Sequence, residues 1–122
     1  MAKKILIVDD SATVRHQLGG VLREAAYEVL EAGGGHEALD HARGNALDLI
    51  ITDVNMPGMT GLELVRHLRQ LATHQRTPVF MLTTESSVEM VKQGKEAGVT
   101  AWIVKPFKPD ILLKGVAKIA GV

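Results

Sequence analysis

LDLIITDVNMPGMTG, residues 47–61, joins an apolar run to an aspartate, Asp53, and then to a turn holding Asn55 and Pro57-Gly58. A run with so little polar alternation predicts a strand over Leu47 to Asp53 that is buried on both faces, as in a parallel sheet. Asp53 then stands where that strand meets water. Beyond the turn, Leu62, Leu64, Val65, Leu68 and Leu71 recur at helical spacing, with Arg66, Arg69 and Gln70 on the other side. This predicts an amphipathic helix from Gly61 to Leu71.

The same strand-then-helix pattern extends in both directions. Upstream, Lys4 to Val8 is an apolar run ending in Asp9-Asp10. Ser11 can cap a helix carrying Val14, Leu18, Val21, Leu22 and Ala25, which Gly19-Gly20 weakens by about 1 kcal/mol per glycine. Tyr27 to Ala32 reads as a second strand and His36 to Arg43 as a short helix. Downstream come the strand Pro78 to Thr83, a helix from about Ser86 to Ala97, the strand Thr100 to Lys105 and, after Pro106 and Pro109, a last helix through Ile119. Five such units predict one α/β domain over residues 1–122, a parallel sheet with helices on both faces. Ligands of these sheets bind beyond the carboxyl ends of the strands.

Composition narrows the function. Fourteen basic and 14 acidic residues cancel, so no broad field draws the chain to nucleic acid or to a membrane surface. The absence of cysteine removes disulfides and thiolate chemistry. MAKKILIVDD is too short in apolar residues for a signal peptide, and a cytoplasmic location is expected. His16, His36, His41, His67 and His74 form no H-x-x-x-H pair and are expected on solvated helix faces. Lys92, Lys95, Lys108, Lys114 and Lys118 are expected to be solvated as well, with a share in partner binding.

The strand ends carry Asp9-Asp10, Glu31 to Gly35, Asp53, Thr83-Thr84 and Lys105. If the first and third strands are neighbours, three carboxylates converge. Two of them ~5 Å apart at an effective dielectric of ~20 repel by about 3 kcal/mol. A Mg²⁺ ion relieves that repulsion, with Asp10 and Asp53 offering side-chain oxygens, Asp9 binding through water and Asn55 offering its main-chain carbonyl. A single Asp here reads equally well as a helix cap. Capping leaves Thr83 and Lys105 without a role, whereas a phosphoryl group calls for a metal, a fixed cation, a hydroxyl and a carboxylate nucleophile. A rival signal, GGGHEA at Gly33 to Ala38, fits the dinucleotide fingerprint with Asp53 about twenty residues on, but it too leaves the other strand ends unused.

VDDS at Val8 to Ser11, DVNMPGMTG at Asp53 to Gly61, MLTTE at Met81 to Glu85 and WIVKPF at Trp102 to Phe107 together resemble a response-regulator receiver domain over the whole chain. The resemblance is to the free-standing, CheY-like type used in chemotaxis. It implies a flavodoxin-like (βα)5 fold with strand order 2-1-3-4-5. It implies that Asp53 accepts a phosphoryl group from a histidine kinase, with Mg²⁺ held by Asp9, Asp10, Asp53 and the Asn55 main chain. Thr83 and Lys105 would bind phosphoryl oxygens, and the Lys105-Pro106 peptide would be cis. Trp102 stands where the family's aromatic switch turns inward to reshape the face of the fourth helix, fifth strand and last helix. Trp102 replaces a more usual Tyr or Phe, and its bulk is expected to hinder that movement. Thr84, larger than the usual residue, narrows access to the phosphoryl group, while Asn55 and Glu85 tune its lifetime.

By the same resemblance the chain is a monomeric switch rather than an enzyme. Its partners would be a histidine kinase, a downstream protein such as a flagellar switch component, and a phosphatase. With no DNA-binding domain after Val122, control of a flagellar motor is favoured over transcription. A phosphorelay intermediate, a kinase-regulating receiver, a docking module with vestigial phosphorylation and, more distantly, a small Mg²⁺-dependent aspartyl-phosphate phosphohydrolase are the alternatives. The phosphohydrolase lacks an evident cap domain or substrate pocket.

Overall fold

The computed structural model describes residues 2–121. In chain order its elements are β1 (Lys4–Val8), α1 (Ala12–Glu24), β2 (Glu28–Ala32), α2 (Gly35–Gly44), β3 (Leu49–Thr52), α3 (Gly61–Gln70), a 3-10 turn (Ala72–His74), β4 (Val79–Thr83), α4 (Val88–Ala97), β5 (Ala101–Val104) and α5 (Pro109–Ala120). The five strands are all parallel, in the order β2-β1-β3-β4-β5. Strand and helix positions agree with the sequence expectations to within a few residues, the usual uncertainty at element ends.

Two-sided burial explains why the central strands are apolar throughout. Successive side chains of a strand point to opposite faces. Leu6, Val8, Ile50 and Met81 join Ala38, Leu39, Leu64 and Leu68 in one core layer, whereas Ile5, Ile7, Leu49, Ile51, Phe80 and Leu82 join Leu18, Leu22, Leu112 and Val116 in the other. All five residues of β4 are buried, while the edge strand β5 is only partly covered.

Local signals set the helix ends. The Ser11 hydroxyl accepts from Val14 N and starts α1, which runs unbroken through Gly19-Gly20. Thr60 and Glu63 form a reciprocal capping box on α3, satisfying two donors that a helix start otherwise leaves unpaired. Ser87 caps α4, and Gly98, at φ 98°, ends it in the left-handed conformation that glycine adopts without strain. Among the described residues no helix is long and apolar enough to cross a membrane.

Two sequence expectations are corrected. His16, His36 and His67 are exposed and His41 is half-buried, but His74 is fully buried. Its Nε2 lies 2.7 Å from the Ala42 carbonyl and 3.2 Å from that of Asn45, and its Nδ1 lies 2.9 Å from Thr77 Oγ1. The 3-10 turn, which carries no periodic signal, folds His74 under the end of α2. Arg69, assigned to the solvated side of α3, instead donates to the carbonyls of His74, Thr77 and Gly98 at 2.7–2.9 Å. Its long stem lets the guanidinium reach carbonyls that the two neighbouring connections leave unpaired.

Candidate functional site

Parallel register brings the strand ends together. Val8 lies beside Thr52, so Asp9 and Asp53 leave the sheet at the same rim. Thr83 lies beside Val104, so Lys105 follows directly on the neighbouring strand. One ligand oxygen from each of Asp9, Asp10 and Asp53 can be chosen so that all lie within 4.8 Å of one another. Asp9 and Asp53 are 5% and 8% exposed, whereas Asp10 faces solvent.

Lys105 ties the cluster together. Its Nζ donates to Asp9 Oδ2 at 2.7 Å and to Asp53 Oδ2 at 2.9 Å. The other oxygen of Asp53, Oδ1, accepts from Val54 N at 2.7 Å and Asn55 N at 3.3 Å. Burial alone would push the Asp53 carboxyl up, but the Thr83 hydroxyl, the Lys105 ammonium and the Val54 amide outweigh it and hold the group below its ordinary value. Burial would likewise push Lys105 down, yet its bonds to Asp9 and Asp53 and their negative charge hold it above the usual lysine value.

Three carboxylates against one ammonium leave a net charge of two minus at the rim. Oxygen donors in this number, one of them open to solvent, suit a hard dication that retains waters, as Mg²⁺ does. The close approach of the next helix shapes the same spot. A Cβ at Gly61 would lie 2.0 Å from the Asp53 carbonyl oxygen, so only glycine lets α3 begin there.

A second set of contacts leads away from the rim. Thr83 is fully buried, and its hydroxyl accepts from Glu85 N at 3.2 Å. Asn55 Nδ2 donates to Glu85 Oε1 at 3.3 Å, and Trp102 Nε1 donates to the Glu85 carbonyl at 2.7 Å. The Trp102 ring is half-buried against the core beneath α4, at a place where a Cβ on Gly94 would come within 2.6 Å of Trp102 Cζ3. A glycine on the facing helix makes room for the indole in this placement. The pairing of Gly94 with Trp102 was not foreseen, since nothing in the order of residues marks the two as neighbours.

Thr84 is exposed and lies with Lys105, Pro106 and Phe107 on the wall of a groove of about 630 Å³ facing Val14 and Val21 of α1. The Lys105-Pro106 peptide is cis. The glycine-rich loop before α2 is closed by its own packing: Gly33 N donates to Glu37 Oε1 at 2.8 Å, and a Cβ at Gly35 would lie 2.5 Å from Met59 Sδ. Gly33 and Gly35 thus pack against Glu37 and Met59, whereas a Cβ at Gly34 would meet nothing within 4 Å.

Known proteins resemble this chain in sequence and fold. The response regulator receiver domain model matches residues 5–117. The chemotaxis protein CheY1 of Helicobacter pylori is 41% identical over 97% of this chain and 97% of its own length. The chemotaxis protein CheY of Pseudomonas aeruginosa is 38% identical over 95% of this chain and 94% of its own. Among solved structures, the Vibrio cholerae chemotaxis protein CheY4 superposes with a TM-score of 0.94 at 45% identity, covering 98% of this chain and 99% of that one. On the match of the family model along nearly its full length, this chain belongs to the response regulator receiver domain family.

Proposed function

We propose that the chain is the phosphoacceptor switch of a two-component signalling pathway, with Asp53 as the acceptor. The observation that carries this reading is the single ammonium of Lys105 bridging Asp9 and Asp53 at an acidic rim. A carboxyl held below its ordinary value is ionised at neutral pH and available as a nucleophile. Attack by an Asp53 carboxylate oxygen on the phosphorus of a phosphohistidine forms the P–O bond, and the P–N electron pair returns to the imidazole of the donor.

Asp9, Asp10, Asp53 and the Asn55 main chain would hold Mg²⁺, whose chemistry there is to neutralise charge on the carboxylates and the phosphoryl oxygens. Lys105 supplies a fixed cation for one phosphoryl oxygen. Thr83 supplies a hydroxyl proton for another, and because the same hydroxyl accepts from Glu85 N, its movement toward a phosphoryl group would pull on the loop whose carbonyl holds Trp102. A covalent charge at Asp53 thereby biases the packing of α4 and β5. Asn55, Thr84 and Glu85 border the approach to Asp53 and set the lifetime of the acyl phosphate, and the cis Pro106 shapes the loop that presents Lys105.

The output face comprises α4, β5 and α5, where Val88, Val91, Val104 and Ile111 are exposed. The chemotaxis names of its relatives favour a flagellar switch component as the target, with a histidine kinase as donor and a phosphatase to reset the switch. In this reading the protein works as a cytoplasmic monomer. Acetyl phosphate with Mg²⁺ is expected to add one phosphoryl group by intact mass, and Asp53→Asn to abolish the addition. Labelling that persists in the Asn variant defeats the assignment. Recovery of a motor component by the phosphorylated form alone supports the chemotaxis role, and recovery of a phosphotransfer protein supports a relay instead.

A further inference from the structure

Asp9 is tethered at every polar atom. Its N–H donates to the Ala32 carbonyl at 3.1 Å, Oδ1 accepts from Ser11 N at 2.9 Å, and Oδ2 accepts from Lys105 Nζ at 2.7 Å. Its main-chain carbonyl accepts from Arg15 Nη1 at 2.5 Å. That last bond comes from a side chain with no part in the phosphoryl chemistry described above.

Arg15 is itself held. Its Nε lies 3.5 Å from Glu31 Oε1, and Glu31 Oε2 accepts from Arg23 Nη2 at 3.0 Å. One carboxylate on the edge strand β2 therefore spans two guanidiniums carried on α1. Gly19 sits midway between the two arginines, one helical turn from each, and is buried. A Cβ there would lie 2.9 Å from Arg23 Nη1 and 3.5 Å from Glu31 Oε2. A glycine inside a helix costs about 1 kcal/mol relative to alanine. Here the missing side chain leaves the space in which Arg23 folds back to Glu31.

Resting on the receiver reading, we propose that Arg15 is a positioning residue for the metal rim. Anchored by Glu31 and Arg23 across Gly19, it fixes the main chain of Asp9 so that the Asp9 carboxylate is presented to a divalent cation. Charge alone argues the other way. A guanidinium near three carboxylates opposes a dication by Coulomb repulsion, so a purely electrostatic Arg15 weakens metal binding. A positioning Arg15 strengthens it, because a ligand held in place loses less freedom when the ion arrives. The two accounts predict opposite signs for the same substitution.

The test titrates the full chain with MgCl₂, following the amide shifts of Asp53 and Asn55 by NMR and the fluorescence of Trp102. Arg15→Gln is expected to raise the Mg²⁺ Kd about tenfold, the scale seen when a group that orients a metal ligand is lost. Arg15→Lys, which retains a donor and the charge, recovers part of that loss. With acetyl phosphate as donor, the Mg²⁺ concentration giving half-maximal labelling rises in step, whereas the rate at saturating Mg²⁺ stays within about twofold of wild type. A general structural defect raises that concentration and lowers the saturated rate as well. Binding by Arg15→Gln as tight as wild type, or tighter, overturns the proposal. If Arg15→Gln fails to fold, Glu31→Gln takes its place, and an unchanged Kd there overturns it equally. A wild-type chain whose spectrum ignores Mg²⁺ defeats the receiver reading itself, a result visible before any Arg15 variant is made.

Discussion

Lys105 holds two carboxylates that lie 96 and 52 positions away along the chain. Replacing it with methionine leaves the buried Asp9 and Asp53 without their cation, so the Asp53 carboxyl moves upward, a shift measurable by carbon NMR titration of the carboxyl. The pH dependence follows from the two directions. A depressed Asp53 stabilises the fold above the unfolded aspartate value of about 3.9 and loses that contribution as pH falls through its lower folded value. A raised Lys105 stabilises below the unfolded lysine value of about 10.4, and loses that contribution as pH rises through its higher folded value. Lys105→Met is therefore expected to unfold at a higher pH during acid titration by circular dichroism. An unchanged acid midpoint would mean that solvent already screens the pair.

At the scale of elements, glycines in similar helices have different jobs. Gly20 on α1 is exposed and a Cβ there meets nothing within 4 Å. Gly20→Ala should stabilise the protein by about 1 kcal/mol in urea denaturation, the ordinary helix preference for alanine. Gly94 on α4 has the same intrinsic preference, but its Cβ would strike the Trp102 ring. Gly94→Ala should lose about 1–3 kcal/mol through overpacking. It should also shift Trp102 emission as the indole leaves the Glu85 carbonyl. If both alanines stabilise equally, Trp102 is not seated against α4. Sequence reading treats all helix glycines alike because propensity is local, whereas the neighbour that decides the sign lies on another element.

At the scale of the whole molecule, His74 joins regions that no sheet contact connects. It links the carbonyls at the end of α2 to the turn between α3 and β4. His74→Phe fills a similar volume but leaves the Ala42 and Asn45 carbonyls without a donor. The expected loss is about 1–3 kcal/mol per buried unpaired group, read from the urea midpoint. Exposure of the wild-type imidazole to solvent, seen as rapid exchange of its ring proton, would contradict the buried placement. Arg69 acts on the same corner by bonding three carbonyls from two connections. The pair closes the amino-terminal end of the sheet, opposite the acidic rim.

The alternation of buried strands and amphipathic helices was legible in the chain, because burial on two faces demands apolar runs and burial on one demands helical spacing. Asp53 and Lys105 were legible as strand-end residues for the same reason: a charge that ends an apolar run must mark the place where the strand leaves the core. Only the tertiary structure decided that Lys105 bridges Asp9 and Asp53, that Arg15 reaches the Asp9 carbonyl, that Gly94 makes room for Trp102, and that His74 is inside. Each of these depends on distances between residues far apart in sequence. Local pattern says which side of an element faces the core, but contact chemistry depends on what the neighbouring element places there.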